Sequence, residues 1–228
     1  MYNLKPKPMK KIICIFFAAI VSVSFVSGQI KIGPRVGLNI TNVKGDDSGN
    51  DKPKAGYNVG IQAQINFTER FGLQPALLFS SKGCIVKSNG ITVKGIMNYI
   101  EVPLNLFYGI KLGGNELQII AGPYLAYFAG GKSKYLQLPA GLTLSGLTFK
   151  RKTFVSTADQ LNTSVAYFRP YDLGLNFGVG FLAMKKIQAQ LNFGLGLSNI
   201  LPEIEGRKFE RDYNTNIQIS VAYLFGGK

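Results

Sequence analysis

The chain has 228 residues, with 26 lysines and arginines against 12 aspartates and glutamates, so its net charge is +14. It has no histidine and two cysteines, which excludes histidine-based acid–base catalysis, a Ser-His-Asp triad and a cysteine-rich zinc site. We therefore expect one domain with no enzymatic activity and no cofactor.

The first 28 residues have the pattern of a cleaved secretory signal peptide. Four lysines precede an apolar stretch at 12–26, and Ser27-Gly28 offers a small-residue cleavage site. An apolar core of about 15 residues is short for a membrane-spanning helix. The sequence thus predicts export of a mature domain, residues 29–228, which carries 22 basic and 12 acidic residues.

In the mature domain, apolar and polar residues alternate over eight stretches, which predicts eight β-strands. From Tyr57 to Phe67, for example, every odd-numbered residue is apolar and every even-numbered one is Asn, Gln or Gly. In chain order the predicted strands are Ile30 to Ile40, Tyr57 to Phe67, Phe71 to Ser81, Met97 to Ile110, Leu117 to Ala129, Tyr171 to Ala183, Ile187 to Leu197 and Thr215 to Phe225.

The polar faces of these strands carry neutral amides and glycines, whereas a face exposed to bulk water usually carries charge. This pattern indicates an enclosed polar lumen and an apolar outside in contact with lipid. Ten steps of about 3.3 Å, tilted by ~40°, rise roughly 25 Å, which matches the apolar band of outer-membrane barrels. The alternative is a soluble lipocalin-like barrel with its faces reversed.

The connections between the strands alternate between short and long, which is typical of bacterial outer-membrane barrels with short periplasmic turns. The short ones are 68–70, 111–116 and 185–186, and the long ones are 41–56, 82–96, 130–170 and 198–214. The sequence therefore predicts an all-β, eight-stranded, antiparallel up-and-down transmembrane β-barrel in the cell outer membrane.

Short motifs in a fixed order carry a family resemblance. They are Gly33 to Asn39, Tyr99 to Leu104, Ala121 to Tyr124, Phe177 to Gly180, Gly194 to Ile200 and Tyr223 to Phe225. With these motifs the chain resembles the Bacteroidota outer-membrane β-barrel family, which is porin-like and related to PorT. The resemblance implies an eight-stranded outer-membrane barrel and little about activity. The terminal aromatic strand looks like a recognition signal for the outer-membrane assembly machinery.

Charged residues are few on the predicted inward faces. The lumen of an eight-stranded barrel is just wide enough for side chains to fill it, and buried charges need partners. We therefore predict a lumenal ion-pair network that links Arg35 and Glu101 with Asp172 or Lys31. A catalytic pair of Glu101 and Asp172 is the weaker interpretation. Cys84, in the second long connection, is expected to be a spectator.

The connection 130–170 is longer than the topology requires, and long loops tend to be functional or disordered. Apolar residues on both sides of Pro139-Ala140-Gly141 predict a hairpin that projects above the membrane. Its basic residues predict contact with lipopolysaccharide or another surface polyanion, and a solvated run of charge is the equal alternative. These residues are Lys132, Lys134, Lys150, Arg151, Lys152 and Arg169.

The expected function is a non-enzymatic structural or surface-interaction role, in which the barrel presents its long loops outside the cell. The alternatives are a small-solute channel and, from the resemblance, a PorT-like accessory component of a protein secretion system. Expected partners are outer-membrane lipid, lipopolysaccharide and an unidentified protein. Nucleic acid is not expected, because the basic residues lie in loops and turns and not on one amphipathic face.

Overall fold

Residues 30–45 and 51–227 are described by the computed structural model of the protein. The predicted signal segment, 1–28, lies outside these residues. Among the described residues, no helix has the length and the apolar character that a membrane span requires.

The described chain consists mainly of strands, with one short helix. In chain order the elements are β1 (Ile30–Gly45), β2 (Asp51–Asn66), β3 (Phe71–Lys82), β4 (Cys84–Ser88), β5 (Ile91–Leu112), β6 (Asn115–Gln137), β7 (Thr148–Arg151), β8 (Phe154–Val155), α1 (Thr157–Gln160), β9 (Val165–Phe168), β10 (Tyr171–Ala183), β11 (Ile187–Gly196), β12 (Glu203–Ile204), β13 (Asp212–Tyr223) and β14 (Phe225–Gly226).

Eight long strands form a closed ring. In the order β1, β2, β3, β5, β6, β10, β11 and β13, each strand pairs antiparallel with the next one. The ring closes where β13 returns to β1, with Val221 opposite Val36. The predicted eight-stranded antiparallel up-and-down transmembrane barrel is confirmed.

Burial alternates along every strand of the ring, as the sequence pattern predicts. In β11, for example, Gln188, Gln190 and Asn192 are buried, whereas Leu191 and Phe193 are exposed. Leucine, isoleucine and phenylalanine therefore cover the outside, and amides fill the lumen. A soluble barrel with reversed faces would require the opposite arrangement.

Outward aromatic residues pair across neighbouring strands at both ends of the barrel. At the end with the short turns, the rings of Phe71 and Tyr108 lie 5.2 Å apart. At the end with the long loops, the rings of Tyr127 and Tyr171 lie 5.6 Å apart. Aromatic side chains at these two levels suit the two interfaces of a membrane.

The strands continue well beyond the predicted bounds at the long-loop end. β1 runs on to Gly45, β5 starts at Ile91, and β6 reaches Gln137. Above the lipid both faces of the sheet can meet water, so the ladder of backbone hydrogen bonds persists without apolar–polar alternation. A bulge at Ala129 also shifts the pairing of β6 with β5 by one residue.

The connection between β6 and β10 contains the predicted hairpin, and its later part packs back on the barrel; that the hairpin projects above the membrane stays a prediction. β7 pairs antiparallel with the end of β6, and β9 then pairs parallel with β7. β8 pairs parallel with β12 from the last long connection. We call residues 130–170 and 198–211 together the crown.

Candidate functional site

Glutamine side chains cross the lumen in the half nearer the short turns. The Nε2 of Gln190 on β11 donates a hydrogen bond to Oε1 of Gln74 on β3 over 2.9 Å. These two strands lie opposite each other in the ring of eight, so this contact spans the full width of the barrel. Gln74 in turn donates to Gln118 on β6 over 2.8 Å, and Gln188 also donates to Gln118. Side chains therefore occlude the lumen at this level.

Arg35 lies deeper in the same amide layer and is almost fully buried. Its Nη1 donates to Oε1 of Gln62 over 2.9 Å, and its Nη2 donates to Gln218. Both partners are on the strands next to β1. The guanidinium is thus held by neutral amides of its neighbouring strands.

A cluster of three buried charges lies nearer the long-loop end. The Nζ of Lys82 lies 2.7 Å from Oε2 of Glu101 and 3.5 Å from Oδ2 of Asp172. The ammonium also lies 4.4 Å from the ring centre of Tyr124, close enough for a cation–π contact. Nδ2 of Asn214 donates to Asp172 over 2.9 Å. One cation therefore bridges two carboxylates that would otherwise be buried without a counter-charge.

The predicted network requires a correction in its cations. Glu101 and Asp172 do lie together, but Lys82 joins them, and no ion pair of Arg35 or Lys31 is present among the described residues. Glu101 belongs to β5, three strands away from Arg35 in the ring. Lys31 lies at the short-turn end, where its Nζ donates to the carbonyl of Lys185 over 3.0 Å.

Sequence reasoning missed Lys82 because the third predicted strand ended at Ser81. The signal was nevertheless in the pattern. Even-numbered residues of β3 face the lumen, as Gln74, Leu78 and Ser80 show, and Lys82 is the next even position. As for a catalytic carboxylate pair, the bridging ammonium and the burial of the cluster leave neither carboxylate open to a substrate.

Apolar and aromatic side chains close the lumen above the charged cluster. The tilted rings of Phe149 of β7 and Phe168 of β9 lie 4.9 Å apart, and the ring of Tyr99 packs edge-on against that of Phe128 at 5.4 Å. The hydroxyl of Tyr99 accepts from Nδ2 of Asn214 on the opposite strand of the ring over 3.3 Å. The buried members of this cap are Val43, Cys84, Met97, Tyr99, Tyr124, Ala126, Phe128, Phe149 and Ile200.

Cys84 is one of these buried residues, and its thiol is a poor nucleophile. Burial raises the pKa of the Cys84 thiol to about 12, with the carboxylate of Asp51 adding to the effect. The thiol is therefore protonated at neutral pH, and the thiolate is the nucleophilic form.

Two of the six predicted basic residues of the crown are neutralised. Lys152 forms an ion pair with Asp159, and Arg169 forms one with Glu203 over 3.2 Å. Arg151 donates from Nη1 to the carbonyl of Phe128 over 3.2 Å. These three side chains brace the crown.

Lys132, Lys134 and Lys150 lie together on the outward face of the sheet made by β5, β6, β7 and β9. Lys134 stands directly opposite Lys94 of β5, which sequence reasoning missed because it placed no strand at residues 82–96. Lys150 lies two residues from Thr148, the partner of Lys132. No carboxylate lies within ion-pair distance of these four lysines among the described residues. We call Lys94, Lys132, Lys134 and Lys150 the basic face.

Among the described residues, no group of three or more His, Cys, Asp or Glu side chains is arranged so that it could hold a metal ion.

The model of a family described as "Outer membrane protein beta-barrel domain" matches residues 22–201. Ail, the attachment invasion locus protein of Yersinia pestis, is similar at 14% identity and a TM-score of 0.45, over 87% of this chain and 99% of that chain. The outer membrane protein OprG from Pseudomonas aeruginosa is similar at 11% identity and a TM-score of 0.41, over 88% and 97% of the two chains. No curated protein matches the sequence significantly.

Proposed function

The chain belongs to the outer membrane protein β-barrel domain family, and from this premise we propose that it is a non-enzymatic surface protein whose closed barrel presents the crown outside the cell. The observation that carries the proposal is the filled lumen. Direct hydrogen bonds join opposite strands at two levels, from Gln190 to Gln74 and from Asn214 to Tyr99. A barrel filled in this way is an anchor, and the crown is its accessible part.

The same observation argues against the small-solute channel. A hydrated ion would have to break the amide contacts, pass the buried Lys82 cluster and displace the aromatic cap of Phe149 and Phe168. Each broken hydrogen bond would leave a buried polar group without a partner, at a cost of about 1–3 kcal/mol. We expect the purified protein to give no ion conductance in planar lipid bilayers, and reproducible conductance steps would contradict the proposal.

Topology is tested by cysteine labelling of intact cells. Ser145→Cys places a thiol on the exposed part of the crown, and Gly114→Cys places one in a short turn where an added Cβ meets no atom within 4 Å. A membrane-impermeant maleimide should label Ser145→Cys in intact cells and Gly114→Cys only after permeabilisation. The buried, protonated Cys84 provides a low background. Labelling of the turn and not of the crown in intact cells would reverse the orientation.

For the surface partner we propose an anionic one, lipopolysaccharide. Like charges directly opposite each other on neighbouring strands are destabilising, and Lys94 faces Lys134 in this way. A bound phosphate would relieve this repulsion. The basic face also lies just above the outward pair of Tyr127 and Tyr171, at the level where the head groups of the outer leaflet would lie.

The resemblance to PorT supports a second candidate, an accessory component of a protein secretion system. The observation in its favour is that the crown is folded: β7 pairs with β6, β9 pairs with β7, and a capping box of Ser156 and Asp159 begins α1. A defined surface of this kind suits a protein partner better than a solvated chain would. Deletion of the gene should then reduce the amount of secreted protein in the culture medium, and an unchanged secretome would dismiss this candidate.

A further inference from the structure

A groove of about 330 Å³ lies in the crown beside β9, and neither the barrel nor the basic face uses it. One wall is β9 itself, from Val165 to Phe168, and the other wall contains Leu201, Pro202 and Ile204. Arg207 and Lys208 line its mouth. We call this feature the β9 groove.

β9 presents an open strand edge to the groove. The backbone on the β7 side donates to every fourth carbonyl on the β9 side, since the N–H of Thr148 donates to the carbonyl of Ser164 and that of Lys152 donates to the carbonyl of Phe168. The even-numbered residues of β9 therefore face β7, and the backbone N–H and C=O of Tyr167 point the other way, into the groove. No described residue across the groove bonds to them.

The opposite wall is built so that it does not pair with β9. The N–H of Leu201 donates to the side chain of Asn199, that of Glu203 donates to the carbonyl of Thr153, and Pro202 has no N–H. Among the described residues, the two walls are joined at Arg169, next to the end of β9, whose N–H donates to the carbonyl of Ile200 and whose guanidinium pairs with Glu203. No other hydrogen bond joins β9 to this wall in the described part of the chain, so the backbone N–H and C=O of Tyr167 are left available to a bound peptide.

The charge at the mouth of the groove determines which kind of ligand is favoured. Arg207 and Lys208 are exposed, and no carboxylate lies within ion-pair distance of either among the described residues. Of the two carboxylates that line the groove, Asp159 is neutralised by Lys152, and Glu210 offsets one of the two cations. The mouth therefore keeps a positive charge, in a mature chain that is itself strongly basic.

From these observations we propose that the β9 groove binds an extended, acidic peptide segment of a partner protein, which adds to β9 as a short strand. Main-chain hydrogen bonds to an exposed sheet edge give affinity in this mode of recognition, and side chains at alternate positions give specificity. Acidic side chains of the guest would lie at Arg207 and Lys208. This inference rests on the proposed function in one respect: if the crown is displayed outside the cell, the partner is met there. The groove itself is a feature of the folded crown and does not depend on that proposal.

A peptide-binding experiment on the full chain in detergent micelles tests the proposal. The probe is a fluorescent, capped peptide of alternating glutamate and valine, and its twin carries N-methyl groups on two adjacent central residues. Methylation leaves the charge unchanged but blocks the backbone N–H on either edge of a strand. We expect the unmodified probe to bind and the methylated twin to bind at least about tenfold more weakly.

The variant Arg207→Glu/Lys208→Glu should weaken binding of the unmodified probe by a similar factor. A matched variant, Lys44→Glu/Lys186→Glu, changes the net charge equally at exposed positions away from the groove and should bind as the wild type does. Absence of binding, equal binding of the methylated twin, or equal loss in both variants would overturn the proposal. None of these results bears on the labelling of Ser145→Cys in intact cells, so the two proposals fail separately.

Discussion

The lumen and the basic face both contain charged side chains, but among the described residues the charges have counter-ions in the lumen cluster and none on the basic face. In the lumen, Lys82 is enclosed by Glu101, Asp172 and an aromatic ring, so the charge is fully committed to contacts inside the protein. On the basic face, Lys94 and Lys134 stand opposite each other with no carboxylate nearby in the described chain. The difference indicates that the lumen serves stability, whereas the basic face is left available for a partner.

The largest effect is expected from breaking the lumenal cluster. Lys82→Ala would leave Glu101 and Asp172 buried without a counter-charge, and removing one partner of a buried ion pair costs about 3–5 kcal/mol. Urea unfolding in detergent micelles, followed by the gel mobility shift of the folded barrel, would measure this cost.

The control for this prediction removes the whole cluster. In Lys82→Met/Glu101→Gln/Asp172→Asn no charge remains unpaired, so most of the lost stability should return. If Lys82→Ala unfolds at the wild-type urea concentration, the ammonium is not the counter-charge of these carboxylates, and the lumen and the basic face do not differ in how they use charge.

A smaller loss is expected in the amide layer. Gln74→Ala removes the acceptor of Gln190 and the donor to Gln118, so buried amide groups lose their partners at a cost of about 1–3 kcal/mol. Gln137→Ala, at an exposed position in the crown, is the matched control and should change the free energy of unfolding by less than about 0.5 kcal/mol. Equal effects of the two substitutions would mean that the glutamines only fill space.

The same contrast explains what could be predicted from the sequence. In β11, lipid on one side and a narrow lumen on the other force every second residue to be apolar, so the strand and its orientation follow from Ile187 to Leu197 alone. In the crown both faces meet water or folded loops, so nothing in the local pattern distinguishes β7 or β9 from a coil. These short strands depend on pairing with other elements, β7 with β6 and β9 with β7, which their own sequence does not show.

The charged residues of the lumen and of the basic face, like the strands, were predictable only where the apolar–polar alternation holds. Glu101 and Asp172 were found because inward parity in a strand identifies buried carboxylates. Their partner Lys82 was not found, because it is the last residue of β3 and lies where the alternation imposed by the membrane ends. In addition, the alternation alone does not show which strands face each other across a lumen. Lys94 was not found for a similar reason, since the part of β5 that carries it extends above the lipid.

On the crown, neutralising the basic face should change binding and not folding. The variant Lys94→Gln/Lys132→Gln/Lys134→Gln/Lys150→Gln removes three exposed charges and the half-buried Lys94. None of the four has an ion-pair partner among the described residues, so the unfolding of the variant should stay close to that of the wild type. Binding to vesicles that contain lipopolysaccharide should weaken, and the salt dependence of binding should decrease.

A variant that removes four exposed lysines outside the crown, Lys44, Lys52, Lys87 and Lys186, has the same net charge and is the control for this prediction. If both variants lose lipopolysaccharide binding equally, the attraction comes from the overall charge. If neither loses it, the basic face is only a solvated run of charge.

The smallest effect is expected at the ion pair that braces the crown. The hydrogen bond from Lys152, followed by those from Ser156, lowers the pKa of Asp159 below its usual value. Because the pKa is depressed in the folded state, the stabilisation is present above the pKa of the unfolded chain, about 3.9, and is lost as the pH falls through the folded value.

Hydrogen exchange of the amides in α1, corrected for its intrinsic pH dependence, should therefore speed up below about pH 4 in the wild type. In Asp159→Asn the same amides should be slightly less protected at every pH and show no such change, whereas the amides of β11 should not respond in either protein. A pH response that persists in Asp159→Asn would assign the effect to another carboxylate, such as Glu205, which accepts from Thr157 at the same helix.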